Sequence, residues 1–243
     1  MNITIDGIIC QAQPGQFIME AARRNNIDIP ALCHHEALPG QACCRLCAVE
    51  IEDAGSRFVV ASCVYPVREG ITVYTNSEKI IRLRRTMLTL LKEHVPDAEG
   101  MLPAYYNEYG VSDDSEHSAA KEEKCILCGL CVKACEELGI FAIQETMRGI
   151  DKIVAPPFNE PSNSCTGCAA CARVCPVNAI ECTNNSDKRT IWSKTFTLVK
   201  CAACGEPYAT ADELKWLKER LLDTELNLDY CPKCRGRVSI QKG

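Results

Sequence analysis

Residues 125–135 read CILCGLCVKAC, and residues 165–176 read CTGCAACARVCP. Both stretches have the spacing C-x2-C-x2-C-x3-C, and a proline follows the second one. Two tandem runs of this kind are typical of proteins that hold two [4Fe–4S] clusters, because thiolates are the ligands that such clusters require. The sequence therefore predicts a two-cluster iron–sulfur domain over residues 124–195.

The fourth ligand of each cluster is predicted to come from the other run. Three sulfurs of a C-x2-C-x2-C loop converge on one side of the loop, and a cubane has four irons, so a further thiolate is needed. In two-cluster ferredoxins the other run supplies it. We expect a first cubane on Cys125, Cys128, Cys131 and Cys175, and a second cubane on Cys165, Cys168, Cys171 and Cys135.

A third group of four cysteines lies within residues 1–76, where the pattern is rich in strands. The hairpin signal Asp6-Gly7 is followed by a short predicted helix, Phe17 to Asn25, and by strand-like runs at 46–52, 57–62 and 71–75. This order predicts a β-grasp [2Fe–2S] ferredoxin domain. Its predicted ligands have the spacing C-x10-C-x2-C-x15-C and are Cys33, Cys44, Cys47 and Cys63.

Residues 77–123 are predicted to connect these two domains. Apolar residues recur at helical spacing over 77–95, with Ser77 as a plausible N-cap and Pro96 ending the helix. We expect a solvated or subunit-facing side of this helix at Arg82, Arg84 and Arg85. Residues 97–123 are polar and are expected to form a linker that orders against a partner.

A fourth group of cysteines lies in residues 196–243. Two C-x2-C knuckles bracket a predicted helix that begins with a capping box of Thr210 and Glu213. Such knuckles bind one Zn²⁺ with closed tetrahedral coordination, as in zinc ribbons, or one iron, as in rubredoxins. The sequence leaves both open and favours zinc, because zinc knuckles are the more prevalent kind. The predicted ligands are Cys201, Cys204, Cys231 and Cys234.

Composition narrows the class of protein further. The chain has 243 residues, 19 of them cysteine, and a formal net charge of −5. A disulfide scaffold is the alternative to metal sites, and such scaffolds occur mainly in secreted proteins. The N-terminal residues lack the pattern of a secretory signal, so we expect a cytoplasmic protein with metal sites. No run of 18 apolar residues and no basic cluster occurs, so we expect neither a membrane nor a nucleic-acid partner. The absence of a P-loop or another substrate motif predicts no catalytic site of its own.

Three cysteines and two histidines remain outside these groups. Cys10 and Cys182 are interpreted as small buried residues, and Cys43 as a neighbour of the ligand Cys44. His34 and His35 adjoin Cys33 and are interpreted as loop residues, because four cysteines are already available for the cluster.

The order of the motifs resembles one family. Residues 3–52, 125–143 and 154–180, and the pair Cys135-Glu136 that ends the first run, are similar to the N-terminal iron–sulfur region of the complex I large peripheral subunit and of [FeFe]-hydrogenases. The resemblance covers residues 1–182. It implies one [2Fe–2S] cluster and two [4Fe–4S] clusters in an α+β chain.

The chain departs from this family in three ways. Family members carry a further cubane on an H-x3-C-x2-C-x5-C motif; His94 stands at the histidine, but Ala98, Met101 and Asn107 stand at the cysteines. We therefore expect that cluster to be absent, and His94 to be a helix-end residue. No hydrogenase active-site domain follows residue 182, and the four-cysteine module is added instead.

The resemblance also implies partners. It implies an NADH-binding flavoprotein like that of complex I, a possible second flavin subunit, and ferredoxin, with flavin and NAD(P) bound only by the partners. The size and the missing cluster look most like the small subunit of an electron-bifurcating ferredoxin:NADP transhydrogenase. The alternatives are a subunit of a bifurcating hydrogenase or formate dehydrogenase, and a free-standing polyferredoxin.

Overall fold

The structure is a computed structural model that describes residues 1–97, 99–112, 124–221 and 227–240. The chain divides into two compact units, one comprising Met1–Leu130 with Cys175–Ala179 and the other comprising Cys131–Val174 with Ile180–Gly243. The second cysteine run is thus split, because its last cysteine and the four residues after it belong to the first unit. The four domain ranges expected from the sequence stay a prediction.

The first unit is built on a five-stranded sheet with a short helix against it. The strand order is β2-β1-β5-β3-β4, in which β1 and β5 pair in parallel and the other neighbours are antiparallel. This is the β-grasp arrangement. Its elements are β1 (Asn2–Ile5), β2 (Ile8–Gln11), α1 (Ile18–Arg24), β3 (Ala48–Asp53), β4 (Ser56–Ala61) and β5 (Thr72–Tyr74).

Local sequence explains why these elements form where they do. Asp6 and Gly7 adopt φ angles of 47° and 83°, and positive φ at both central residues makes the tight turn between β1 and β2. Helix α1 buries Ile18, Met19 and two alanines against the sheet, whose inward side chains alternate along each strand. The predicted strands and helix of this region are found with ends shifted by at most two residues.

Helix α2 (Glu78–His94) follows the sheet, and the Ser77 hydroxyl caps it by accepting a hydrogen bond from Ile80 N at 3.4 Å. His94 is its last residue, as expected. Arg82 is exposed and pairs with Glu78 at 3.1 Å. The prediction was wrong for Arg84, which is 0% exposed, because other segments of the unit supply acceptors for its guanidinium.

Part of the predicted linker is a helix that packs on this unit. Helix α3 (Leu102–Tyr109) buries Leu102, Tyr106 and Tyr109 in a core shared with Leu88 of α2 and Val177. Its C-cap Gly110 has a left-handed φ of 62°. The linker interpretation therefore fails over these residues, whereas Ala98 and residues 113–123 lie outside the described part of the chain.

The second unit contains the second cysteine run except for Cys175, and an antiparallel sheet. Helix α4 (Leu130–Glu137) carries the end of the first run, and a small hairpin of β6 (Gln144–Thr146) and β7 (Ile153–Ala155) follows. Helix α5 (Ala170–Arg173) carries Cys171. The predicted strand at residues 152–155 is confirmed as β7.

A four-stranded sheet in the order β11-β10-β9-β8 was not foreseen from the sequence. It runs through residue 195, which the sequence predicts to be the end of a domain. Its buried face carries Ile191, Phe196 and Leu198. The strands are β8 (Cys182–Asn184), β9 (Lys188–Ile191), β10 (Lys194–Lys200) and β11 (Pro207–Thr210), followed by α6 (Ala211–Arg220) and α7 (Pro232–Ile240).

The start of α6 is as predicted. Thr210 Oγ1 accepts a hydrogen bond from Glu213 N at 3.0 Å, and Thr210 N donates to Glu213 Oε2 at 3.4 Å. This reciprocal pair is a capping box. The helix buries Leu214 beside Ala209 and Leu228, which is the ordinary core packing expected for its apolar stripe.

Candidate metal centres

The N-terminal cysteines lie around one loop of the first unit. Cys33 and Cys44 belong to the segment between α1 and β3, Cys47 directly precedes β3, and Cys63 follows β4. The Sγ atoms of Cys47 and Cys63 lie 3.4 Å apart, and Cys44 N donates to Cys33 Sγ at 3.3 Å. The hydrogen bond between these two thiols lowers the pKa of Cys47 and raises the pKa of Cys63, so Cys47 is the thiol of this pair that ionises first.

The backbone of this loop adopts unusual φ angles and approaches a second segment closely. Ala42 and Arg45 adopt φ angles of 54° and 59°, which non-glycine residues rarely do. A Cβ on Gly40 would lie 2.9 Å from Cys63 O, so glycine is required for the close approach of the two segments. The donor set is four thiols, three of them buried, and it fits a [2Fe–2S] core, which takes four thiolates.

The cysteines predicted for the second cubane line one small cavity in the second unit. Cys135, Cys165, Cys168 and Cys171 are brought together there, with apolar neighbours that include Ile143 and Trp192. Burial raises the pKa of Cys171 to about 12. Binding of a cluster therefore has to displace protons from these thiols, as metal binding to thiols does.

Hydrogen-bond donors point at these sulfurs. Ala142 N donates to Cys135 Sγ at 3.2 Å, and the indole Nε1 of Trp192 donates to Cys171 Sγ at 3.5 Å. Trp192 has a φ of 51° in the two-residue turn between β9 and β10, a conformation that usually selects glycine or asparagine. Hydrogen bonds to cluster sulfurs are one of the factors that set reduction potential.

The C-terminal sheet and the β11–α6 junction hold the loop of the second cubane. Lys194 Nζ donates to the carbonyls of Ser162 and Cys165 at 3.2 and 3.0 Å, and Arg189 Nη1 donates to that of Gly167 at 2.8 Å. Gly167 adopts a φ of 70°, and a Cβ there would lie 2.6 Å from the ring of Phe196. The sequence does not predict these supporting residues, since only tertiary structure brings them to the loop.

The set predicted for the first cubane is divided between the units. Cys125, Cys128 and Cys175 lie in the first unit, and Cys131 lies in the second, at the second position of α4. Burial, with smaller contributions from the Cys175 and Cys125 thiols, raises the pKa of Cys128 to about 12. Backbone amides donate to two of these sulfurs, Leu127 N to Cys125 at 3.4 Å and Ala179 N to Cys175 at 3.3 Å.

The C-terminal cysteines form a compact group. The Sγ atoms of Cys201, Cys204, Cys231 and Cys234 all lie within 4.8 Å of one another. Cys231 N donates to Cys201 Sγ at 3.2 Å, and this bond is the main cause of the lowered pKa of Cys201, about 6. Four sulfurs at such distances fit one tetrahedral metal ion. The geometry suits zinc and iron equally.

The remaining cysteines and histidines have different surroundings. Cys10 is fully buried, as expected, whereas Cys182 is half-buried. Cys43 is exposed, and its thiol donates to Cys128 O at 3.5 Å. His34 and His35 lie in the loop after Cys33, in agreement with their interpretation as loop residues.

Two family models match the chain. One is described as a 2Fe-2S iron-sulfur cluster binding domain and matches residues 1–78, and the other as a 4Fe-4S dicluster domain and matches residues 118–183. The matched ranges contain all twelve cysteines that the sequence assigns to clusters. The chain is thus an iron–sulfur protein with a [2Fe–2S] domain and a [4Fe–4S] dicluster domain.

Two proteins with similar sequences are subunits of larger oxidoreductases. The NADP-reducing hydrogenase subunit HndD of Solidesulfovibrio fructosivorans is 33% identical over 74% of this chain and 36% of its own length. A subunit of the NADH-quinone oxidoreductase of Rhizobium meliloti (strain 1021) is 30% identical over 84% of this chain and 27% of its own length. The chain therefore spans about a third or less of these relatives.

One chain of a solved structure matches this protein over nearly the whole length of that chain. A chain of the NAD+-reducing [NiFe]-hydrogenase in the H2-reduced state superposes with a TM-score of 0.65 at 26% identity, covering 87% of this chain and 97% of that one. Over the matched residues, the protein is a homologue of these NADH-quinone oxidoreductase and hydrogenase chains, as its motifs predict. None of the described helices is long and apolar enough to cross a membrane.

Proposed function

We propose that this chain is an electron-transferring iron–sulfur subunit of an NAD(P)-linked flavin oxidoreductase. The observation that carries the proposal is that the two matched cluster-binding domains contain all twelve predicted ligand cysteines. A match that covers 97% of a chain of an NAD+-reducing hydrogenase supports it. Clusters in such sites accept and release single electrons, which is the chemistry they would supply here.

Twelve cysteines would hold the three clusters, four to each cluster. Cys33, Cys44, Cys47 and Cys63 would hold the [2Fe–2S] cluster. Cys125, Cys128, Cys131 and Cys175 would hold the first cubane, and Cys135, Cys165, Cys168 and Cys171 the second. The backbone amides, the Trp192 indole and the buried apolar walls around these thiols exclude water and orient the sulfurs, and so set the potentials.

The C-terminal cysteine group is proposed to bind one Zn²⁺ and to act structurally. Cys201 and Cys231 are buried, and the segment from Cys201 to Thr210 joins the metal knuckle to the loop of the second cubane. A redox-silent ion in a closed site would fold this module without adding a further redox centre. Mononuclear iron is the alternative.

The proposed partners are an NADH-binding flavoprotein resembling that of complex I, a possible second flavin subunit, and ferredoxin. The flavin would split hydride chemistry into single electrons, which this chain would carry. Electron bifurcation of the ferredoxin:NADP transhydrogenase type is the form we favour, because residues Met101 and Asn107 replace ligands of the family's further cubane. A hydrogenase-type assembly is the second candidate, supported by the two hydrogenase relatives.

Anaerobic purification with a tag on this chain tests the proposal. We expect a flavoprotein to co-purify, and NADH or NADPH to reduce the clusters, with one [2Fe–2S] and two [4Fe–4S] signals by spin-counted electron paramagnetic resonance (EPR). Ferredoxin reduction would then be measured with and without a second electron acceptor, because only bifurcation requires both. A colourless preparation without acid-labile sulfide would overturn the proposal. A lone chain that reacts fully with ferredoxin would instead support the free polyferredoxin.

A further inference from the structure

Arg84 is a buried cation with only neutral hydrogen-bond partners. Its side chain is 0% exposed, and all four of its hydrogen bonds go to neutral oxygens. The guanidinium donates to Leu46 O at 2.9 Å, Ala48 O at 3.0 Å, Asn76 Oδ1 at 3.0 Å and the Tyr109 hydroxyl at 3.1 Å. Across the residues that the structure describes, Arg84 makes no ion pair.

Such a charge needs an explanation. Transfer of a guanidinium out of water costs several kcal/mol even after relaxation, and hydrogen bonds to neutral groups offset only part of this. Exposed arginines lie on the same helix, so a cation at this buried position is not required by helix solubility. A nearby anion would offset the remaining cost.

The hydrogen bonds of Arg84 place it beside one of the predicted [2Fe–2S] ligands. Leu46 and Ala48 are the two residues that flank Cys47. The guanidinium therefore donates hydrogen bonds to the backbone on both sides of a predicted [2Fe–2S] ligand. The thiol of Cys47 lies 3.4 Å from that of Cys63. The cation is therefore anchored to the segment that would carry the cluster.

A cluster bound by these thiolates would supply an anionic partner for Arg84. A [2Fe–2S] core with four thiolate ligands has a net negative charge in both oxidation states, and reduction adds one more negative charge. A fixed cation in a low-dielectric site interacts more strongly with the reduced form, and net charge is one of the factors that set cluster potentials. Arg84 would thus favour the reduced cluster.

We propose that Arg84 is the buried counter-ion of the [2Fe–2S] cluster and a positioning residue for Cys47, and that it raises the reduction potential of this cluster. The inference rests on the proposed function, since it requires that Cys33, Cys44, Cys47 and Cys63 hold a [2Fe–2S] cluster. It goes beyond that function by naming a residue that raises the potential at which the cluster takes up an electron.

The first test compares Arg84→Met with Arg82→Met in the full chain. Arg82 lies on the same helix and is exposed, so its replacement removes the same charge without touching the loop. Potentials are measured by EPR-monitored redox titration at a temperature where only the [2Fe–2S] signal is sharp. We expect Arg84→Met to make reduction at least tenfold less favourable, about 59 mV lower for a one-electron couple, while Arg82→Met leaves the potential unchanged.

Two milder variants separate charge from packing and cover the case in which Arg84→Met does not fold. Arg84→Lys keeps the cation and is expected to keep most of the potential. Asn76→Asp places a carboxylate at an atom that already accepts from Arg84 at 3.0 Å, so it should lower the potential while leaving Arg84 in place. Asn76 is exposed, so this shift should be smaller than that of Arg84→Met.

The outcomes are distinct. A lower potential in Arg84→Met and Asn76→Asp, with little change in Arg84→Lys, supports the inference. Equal potentials in all variants with an intact [2Fe–2S] signal, or an equal fall in Arg84→Lys and Arg84→Met, would overturn it and leave the proposed function standing. A wild-type protein with no [2Fe–2S] signal would overturn both.

Discussion

The hydroxyl of Thr210 donates a hydrogen bond to the backbone carbonyl of Thr166 at 2.5 Å, across 44 residues of sequence. Thr210 is fully buried and also caps α6, whereas Thr166 stands between two predicted ligands of the second cubane. One side chain therefore ties the C-terminal module to the cluster loop, and stability of the module and of the cluster should be coupled.

Removal of this hydroxyl should weaken both structures. Thr210→Ala loses the cap and leaves the Thr166 carbonyl without this donor, so we expect about 1–3 kcal/mol lower stability of the loaded protein. Loss of cluster absorbance during urea unfolding measures this. Thr210→Ser keeps the hydroxyl and should be nearly neutral, and Thr197→Ala tests an exposed threonine of the same sheet. Equal stability of Thr210→Ala and Thr197→Ala would contradict the coupling.

The indole of Trp192 should raise the potential of the second cubane. Trp192→Phe keeps the aromatic ring but removes the donor to Cys171 Sγ, so the electron-rich reduced cluster loses a stabilising hydrogen bond. We expect the potential to fall by up to about 59 mV, a tenfold change for one electron. EPR titration of the cubane signals measures it.

Trp216→Phe is the matched control for this experiment. It changes the other tryptophan of the unit, which stacks against Arg220 at 4.9 Å. Unchanged cubane potentials in both variants would show that the hydrogen bond does not tune the cluster.

Gly100 should be essential for the first cubane. Its φ is 68°, and a Cβ there would lie 2.2 Å from Pro176 O, directly after the predicted ligand Cys175. Gly100→Ala must displace this backbone, so we expect loss of one cubane's iron and sulfide. Gly110→Ala is the control, since it has similar φ and open space around it. It should cost about 1–2 kcal/mol and keep the full iron and sulfide content.

Glu213 should make part of the stability pH-dependent. Burial raises the pKa of its carboxyl above the unfolded value of 4.5. The folded state therefore binds the proton more tightly than the unfolded state. The stabilisation that this proton gives is present at low pH and is lost as pH rises through the raised pKa. We expect Glu213→Gln to remove this loss while keeping an oxygen for the Thr210 amide. Urea midpoints of both proteins between pH 5 and 8 (about the stable range) would be compared, and parallel curves would contradict the prediction.

The metal of the C-terminal group should depend on Cys231. Elemental analysis of the purified wild-type protein should give one zinc per chain, and Cys231→Ser should lose it because a closed site needs all four thiolates. The [2Fe–2S] EPR signal should persist. Cys10→Ala changes a buried cysteine outside every group and should keep the zinc. Iron in place of zinc, retained in Cys10→Ala and lost in Cys231→Ser, would make the site rubredoxin-like.

Much of the fold could be predicted because its signals are local. Turn residues such as Asp6-Gly7, the cap at Ser77 and the capping box of Thr210 and Glu213 act over a few residues, and all are found where expected. The spacing of the C-terminal cysteines likewise predicts a group whose four sulfurs lie close together in the structure. The ligand sets of the three clusters stay a prediction.

The features of the fold that the sequence does not predict depend on contacts between residues far apart in the sequence. The burial of Arg84 depends on carbonyls 36 and 38 residues away. Helix α3 lies in a tyrosine-rich segment whose polar residues resemble a linker. The sheet over residues 182–210 was missed because its turn at Trp192 and Ser193 has positive φ without glycine or asparagine, and because Arg189 is buried where the pattern suggests an exposed residue.

The segment Cys175–Ala179 completes the first unit, and Val177 is packed in its core against α2 and α3. On the ribosome, this core cannot close until residue 179 has left the exit tunnel, long after the β-grasp sheet has been translated. Completion of this core must therefore wait for the second cysteine run, whereas, among the residues that the structure describes, the core of the β-grasp sheet contains none after Val73. A fragment ending at Leu130 would expose the surface that Val177 covers, and would be a target for chaperones and proteases.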